Sequence, residues 1–146
     1  MRNFFCFIAI IAIPFMLNSC SEDKPVISEI PAITLIGVSP NPVREYKDSI
    51  IFTLSYTDGN GDLGENNAEA KNVFITDTRI FITDSLRIPQ LAPANVPITG
   101  KINVVLKNTI ITDSSSQQNV SYEIIVVDRA GNKSNTITTG NISVVK

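Results

Sequence analysis

The chain has 146 residues, enough for one domain, with a formal net charge of -2 and an apolar fraction of 43%. Its 12 Lys and Arg are scattered singly, which argues against a nucleic-acid partner, because phosphates require concentrated positive charge. There is no His, no Trp and only 2 Cys, both near the N-terminus. The commonest metal ligand and the commonest general base are therefore missing together, and a disulfide framework is excluded.

The N-terminus reads as a targeting segment. Met1-Arg2-Asn3 gives a short positive start, Phe4 to Met16 is apolar but short for a bilayer span, and Leu17-Asn18-Ser19-Cys20 closes the run with small residues. Leu17-Asn18-Ser19-Cys20 resembles the lipobox of bacterial lipoproteins. The resemblance implies that residues 1–19 are a signal peptide cut before Cys20, whose thiol takes a diacylglycerol and whose amine takes a palmitate-type acyl chain. Each buried methylene contributes about 0.8 kcal/mol, so more than one chain on Cys20 anchors the protein stably in the outer membrane. Loss of residues 1–19 removes Arg2 and no acid, which moves the net charge from -2 to -3.

Residues 20–32 read as a tether. Ser21-Glu22-Asp23-Lys24, with Pro25 and Pro31 beyond, cannot pack or pair regularly. The acidic group after the cysteine also resembles the surface-export signal of lipoproteins of the Bacteroidetes, and the two readings are compatible. The domain then faces either the periplasm or the cell surface.

From Ile33 onward the pattern is of strands bounded by turn residues. Ile33 to Val38 is a first strand, ended by Ser39-Pro40-Asn41-Pro42. Ile50, Phe52, Leu54 and Tyr56 alternate with Ile51, Thr53, Ser55 and Thr57, and this strand runs into Asp58. Asn72 to Thr76 and Arg79 to Thr83 are expected to be two strands with a bend at Asp77-Thr78. Residues 84–99, with Pro89, Pro93 and Pro97, form an irregular crossing. Ile102, Val104 and Leu106 mark a half-exposed strand, and Asp113 to Asn119 a polar loop. Val120 to Asp128 is apolar on both faces and is expected to be the longest and central strand. Arg129-Ala130-Gly131-Asn132 turns the chain into a last strand, Ser134 to Val145, with a bulge at Gly140.

Seven or so short strands in about 115 residues predict an all-β fold, one antiparallel sandwich over residues 33–146. The run Tyr122-Glu123-Ile124-Ile125-Val126-Val127-Asp128-Arg129-Ala130-Gly131-Asn132-Lys133-Ser134 resembles the penultimate hairpin of bacterial immunoglobulin-like and fibronectin-type-III-like domains. That resemblance implies an immunoglobulin-like sandwich.

Thr57-Asp58-Gly59-Asn60-Gly61-Asp62-Leu63-Gly64 carries the candidate chemistry. Asp58, Asn60 and Asp62 offer oxygens at alternate positions, and the glycines let the backbone curl so that they converge on a hard cation such as Ca²⁺. The spacing resembles the opening of EF-hand, dockerin and thrombospondin-type calcium loops, with Glu69 at the twelfth place, although Leu63 replaces the sixth-place glycine and strands flank the loop. Asp77 and Asp128, each at a strand end, are expected to complete the metal set, with Glu65 a weaker candidate. The competing reading is a turn in which Asp and Asn cap their own amides.

Asp48-Ser49-Ile50 and Asp84-Ser85-Leu86 resemble the O-glycosylation pattern of the Bacteroidetes and read equally well as the starts of strands. No Gly-x-Ser-x-Gly elbow, phosphate loop or His is present, so no catalytic residues are assigned and the chain is expected not to be an enzyme. Phe52, Phe74, Phe81, Tyr56 and Tyr122 occupy strand positions expected to be core, which leaves Tyr46 exposed. The sequence thus predicts an outer-membrane-anchored, calcium-stabilised binding or scaffolding module with an unknown protein or glycan partner. The alternative is an accessory glycan-binding subunit of a surface polysaccharide-uptake system.

Overall fold

The computed structural model describes residues 27–93 and 95–146, and all the helix-or-strand structure in them is strand. The signal peptide, Cys20 and residues 21–26 of the tether lie outside the described residues. Ten strands follow in order: β1 (Ala32–Ser39), β2 (Val43–Arg44), β3 (Ile50–Asp58), β4 (Val73–Asp77), β5 (Ile82–Leu86), β6 (Ile98–Leu106), β7 (Gln117–Val120), β8 (Tyr122–Val126), β9 (Ile137–Thr138) and β10 (Ile142–Val145).

The period-two pattern of β3 sets the first layer. Ile50, Phe52 and Leu54 are fully buried while Ile51, Thr53 and Ser55 face partly outward, as alternation along a pleated strand requires. β3 pairs antiparallel with β1 on one side and β6 on the other, giving the order β1-β3-β6. In β1 the ladder shifts between Leu35 and Gly37, so Ile36 is the extra residue of a bulge.

The opposing layer is made from the two remaining groups of strands, β5-β4-β8-β9 and β2-β10-β7. Ser121 alone separates β7 from β8, and three residues separate β9 from β10, so the groups are successive halves of one ladder. Between Ile124↔Ile137 and Val120↔Ile142 the pairing takes four steps on one strand and five on the other. This one-residue slip falls in the segment holding Gly140. Thr139 bridges it, accepting the Tyr122 amide on its hydroxyl and donating its own amide to the Tyr122 carbonyl, both at 2.9 Å. β2 runs parallel to β10 at the far side. Side chains from both layers meet in one core, where Phe52 and Tyr122 pack edge to face with ring centroids 5.6 Å apart. The arrangement is all-β and sandwich-like.

Four expectations need correction, the first being that Phe74 is core: it lies half-buried on the outward side of β4. Arg79–Phe81 is a tight turn and not strand: the Phe81 amide donates to the Asp77 carbonyl at 2.8 Å and Phe81 takes a φ of +56°. The pairing register then begins at Ile82, which opposes Asp77, and Phe81 is left 81% exposed instead of in the core. The Val120–Asp128 strand is broken at Ser121, and β3 and β6 are longer than β8, although β8 does lie inside its sheet between β4 and β9. Finally, Gln117–Val120 joins the sheet as β7, because β10 offers these polar residues a backbone ladder that needs no apolar side chains.

Candidate functional site

The glycine-rich turn closes the end of the core at which β3 finishes. Leu63 is fully buried and plugs that end, so the loop around it is drawn inward with its acids. Asp58 Oδ2 accepts the Leu63 amide at 2.9 Å, and Asn60 Oδ1 accepts the Asp62 amide at 3.4 Å. Gly61 and Gly64 hold φ of +68° and +86°. At Gly61 a Cβ would collide with the Val96 carbonyl, and at Gly64 with the Pro89 carbonyl, so the loop is in direct backbone contact with the 87–97 crossing.

Three other segments are tied to this loop. The Gly59 amide donates to the Ser28 carbonyl at 2.7 Å, the Asn95 amide to the Asn60 carbonyl at 2.6 Å, and the Arg129 amide to the Asp62 carbonyl at 3.2 Å. The Arg129 guanidinium also donates to the Gly64 carbonyl at 2.7 Å and the Gly61 carbonyl at 3.4 Å. This role of Arg129 was not read from the sequence; its place directly after Asp128 in the hairpin was the available signal. Asn72 clamps the crossing further, exchanging two hydrogen bonds with the Ile88 backbone.

The hairpin brings Asp128 to the same place. Burial, together with the charges of Asp128 and Asp58, holds the Asp62 carboxyl above its usual range, while the Arg129 guanidinium and the Ala130 amide pull it down. Asp58 is fully buried, and Asp62 and Asp128 are nearly so. Asp58 Oδ1 and Asp62 Oδ1 are buried and have no hydrogen-bond partner. Such atoms are costly unless a cation or proton meets them. Asp128 is different: Oδ1 accepts the Asn132 amide at 2.7 Å and Oδ2 the Asn132 side-chain amide at 2.8 Å. The Arg129 guanidinium acts on Asp62 from nearby but spends its hydrogen bonds on the Gly61 and Gly64 carbonyls and forms no ion pair with Asp58, Asp62 or Asp128. A hollow of about 190 Å³ opens beside Asp128 and Arg129.

Asp77 does not join them, and its expected place in the set is corrected. It opposes Tyr122 across the β4–β8 ladder while Val73 opposes Val126, so Asp77 lies six residues back along the sheet from Asp128, about 20 Å at strand spacing. There it forms an ion pair with Arg79 at 2.6 Å, and Arg79 also bonds the Gln118 side chain and the Ile110 carbonyl. Glu65 accepts the Asn66 and Asn67 amides on one oxygen and lines the hollow beside Asp128 and Arg129, whereas Glu69 is exposed. Among the described residues, no group of three His, Cys, Asp or Glu side chains is close enough to hold a metal ion by itself. Any ion there needs loop carbonyls or water as further ligands.

A second surface lies on the outward side of β4 and β8. A cleft of about 500 Å³ is lined by Phe74, Ile125 and Val127, with Lys71, Lys133 and Glu123 among its other residues. No family model, no curated protein and no solved structure matches the chain.

Proposed function

We propose that the chain is an outer-membrane lipoprotein, anchored through diacylglycerol and palmitate-type acylation of Cys20, that presents an immunoglobulin-like β-sandwich as a binding or scaffolding module stiffened by Ca²⁺. The observation that carries the calcium part is the pair of buried oxygens without partners, Asp58 Oδ1 and Asp62 Oδ1, beside Asp128. Buried carboxylate oxygens without donors suit a cation, and hard carboxylate and carbonyl oxygens suit calcium. Asn60 is a further ligand if its side chain gives up the weak bond to the Asp62 amide. The immunoglobulin-like reading is supported by the three-stranded sheet packed on a larger one, and by β2 running parallel to the last strand. A structural rather than catalytic ion fits a chain without His, so we read the protein as a non-enzyme.

Titrating the metal-free protein with Ca²⁺ while following its Tm tests the site. With Kd in the roughly 10⁻⁴ to 10⁻³ M class of extracellular modules, 10 mM Ca²⁺ adds about 1.5–3 kcal/mol. An unchanged Tm sinks the calcium reading. Cys20→Ser tests the anchor: the variant leaves the membrane fraction and loses its palmitate label. A second reading, accessory glycan binding, is favoured by the aromatic-floored cleft over Phe74.

A further inference from the structure

We propose that the outward face of the β5-β4-β8-β9 sheet binds an acidic saccharide, with a sugar ring over Phe74 and its carboxylate or sulfate held by Lys71 and Lys133. This rests on the glycan-binding reading and adds the chemical class of the sugar.

The pairing register lays out the surface as a grid. Phe74 opposes Ile125, Thr76 opposes both Thr83 and Glu123, and Val127 is bridged to Lys133. All of these line the same cleft of about 500 Å³. Its middle is apolar and half-buried, with the Phe74 ring as the one aromatic surface. The C–H bonds of a pyranose carry partial positive charge and are attracted to the negative face of such a ring. Thr76 and Thr83 share a hydroxyl hydrogen bond at 2.8 Å beside it, and this pair has acceptor capacity left for sugar hydroxyls.

The charges are sorted along the face. Lys71 and Lys133 line the cleft, are exposed, and belong to neither of the two ion pairs among the described residues, Arg44–Asp48 and Arg79–Asp77. Glu123 lies four residues along β8 from Val127, about 13 Å away at strand spacing. That is beyond a Debye length of about 8 Å at physiological salt. Glu65 and Asp128 share a neighbouring hollow with Lys71, but within the cleft itself the lysine end holds no acid, and the complement of two ammonium groups over an apolar, hydroxyl-bearing floor is a sugar carrying an anionic group.

Calorimetric titration of the whole chain in detergent tests this with three probes: a galacturonate hexamer, a sulfated galactan hexamer and neutral cellohexaose. The expected result is binding of one or both acidic probes that weakens as salt rises, with cellohexaose weaker by about tenfold or more. Phe74→Ala and the charge-neutral double variant Lys71→Gln/Lys133→Gln each lose that binding while still melting cooperatively and still responding to Ca²⁺. Whichever acidic probe binds tells uronate from sulfate. Equal binding of cellohexaose leaves glycan binding standing and overturns the acidic preference. Undiminished binding by the lysine variant places the site elsewhere and overturns the proposal. No binding of any probe at millimolar concentration removes both the proposal and the glycan reading.

Discussion

At Asp62, burial and two neighbouring aspartates all oppose ionisation, and the consequence can be worked out in sign. Its folded pKa stands above the unfolded value of 3.8. The contribution it makes to stability is therefore present in full below 3.8 and is lost as pH rises through the raised folded value. The ion-free protein is expected to lose stability from this residue as pH rises above 3.8. Bound Ca²⁺ needs the ionised form, so the Tm gain from Ca²⁺ should grow over the same range. A Ca²⁺ increment that is flat with pH would count against the ion meeting Asp62. Asp62→Asn separates the alternatives more sharply: it should raise the ion-free Tm by relieving repulsion and abolish the calcium response. If the loop were only a self-capped turn, there would be no calcium response for the variant to abolish. Asp48 behaves in the opposite sense. Its side-chain hydrogen bonds to Arg44 hold its pKa at about 2, so its contribution is present above 3.8 and fades as pH falls through about 2.

At the scale of elements, β1 depends on a side chain that imitates a strand. Asn135 accepts the Ile33 amide on Oδ1 and donates Nδ2 to the Ile33 carbonyl, both at 2.9 Å, so it ties the first layer to the second where no ladder runs between them. Asn135→Ala should cost about 1–3 kcal/mol, read as a lower urea midpoint, because it leaves both backbone groups without these partners. The loop and the crossing are coupled at Gly61. Alanine there meets the left-handed penalty of about 1–2 kcal/mol, and its Cβ also drives against the Val96 carbonyl. Gly61→Ala should therefore weaken calcium binding as well as stability, since the same backbone carries Asp62. A Ca²⁺ response left at wild-type strength would show that the ion does not depend on this curl.

At the scale of the molecule, the two ends of the sheets do different things. One end gathers Asp58, Asp62 and Asp128 with Ser28, where the described chain approaches from the tether side. The other gathers the Asp77–Arg79 pair and the exposed Phe81 turn. Both side chains of that pair are 12% exposed, so Arg79→Ala leaves a nearly buried acid without its partner and should cost about 3–5 kcal/mol. Because some 20 Å separates the ends, this loss should be the same with and without Ca²⁺. Unequal losses by chemical denaturation in the two conditions would show that the ends are coupled.

Alternation made β3 and the inner position of β8 readable from sequence, since a half-buried strand writes its face into every second residue. The acidic turn was readable for a related reason: its glycines and acids are local requirements. What no local pattern contains is register. The turn at Arg79–Phe81 delays β5 to Ile82, which exposes Phe81 and puts Asp77 beside Tyr122, at the end away from Asp128. The polar β7 likewise became strand only because β10 was there to pair with it. Sequence alone determined an all-β chain with an acidic, glycine-bearing loop. Only the tertiary structure decided which aspartates share one end and which guanidinium ties their loop, because those neighbours are set by how distant strands align.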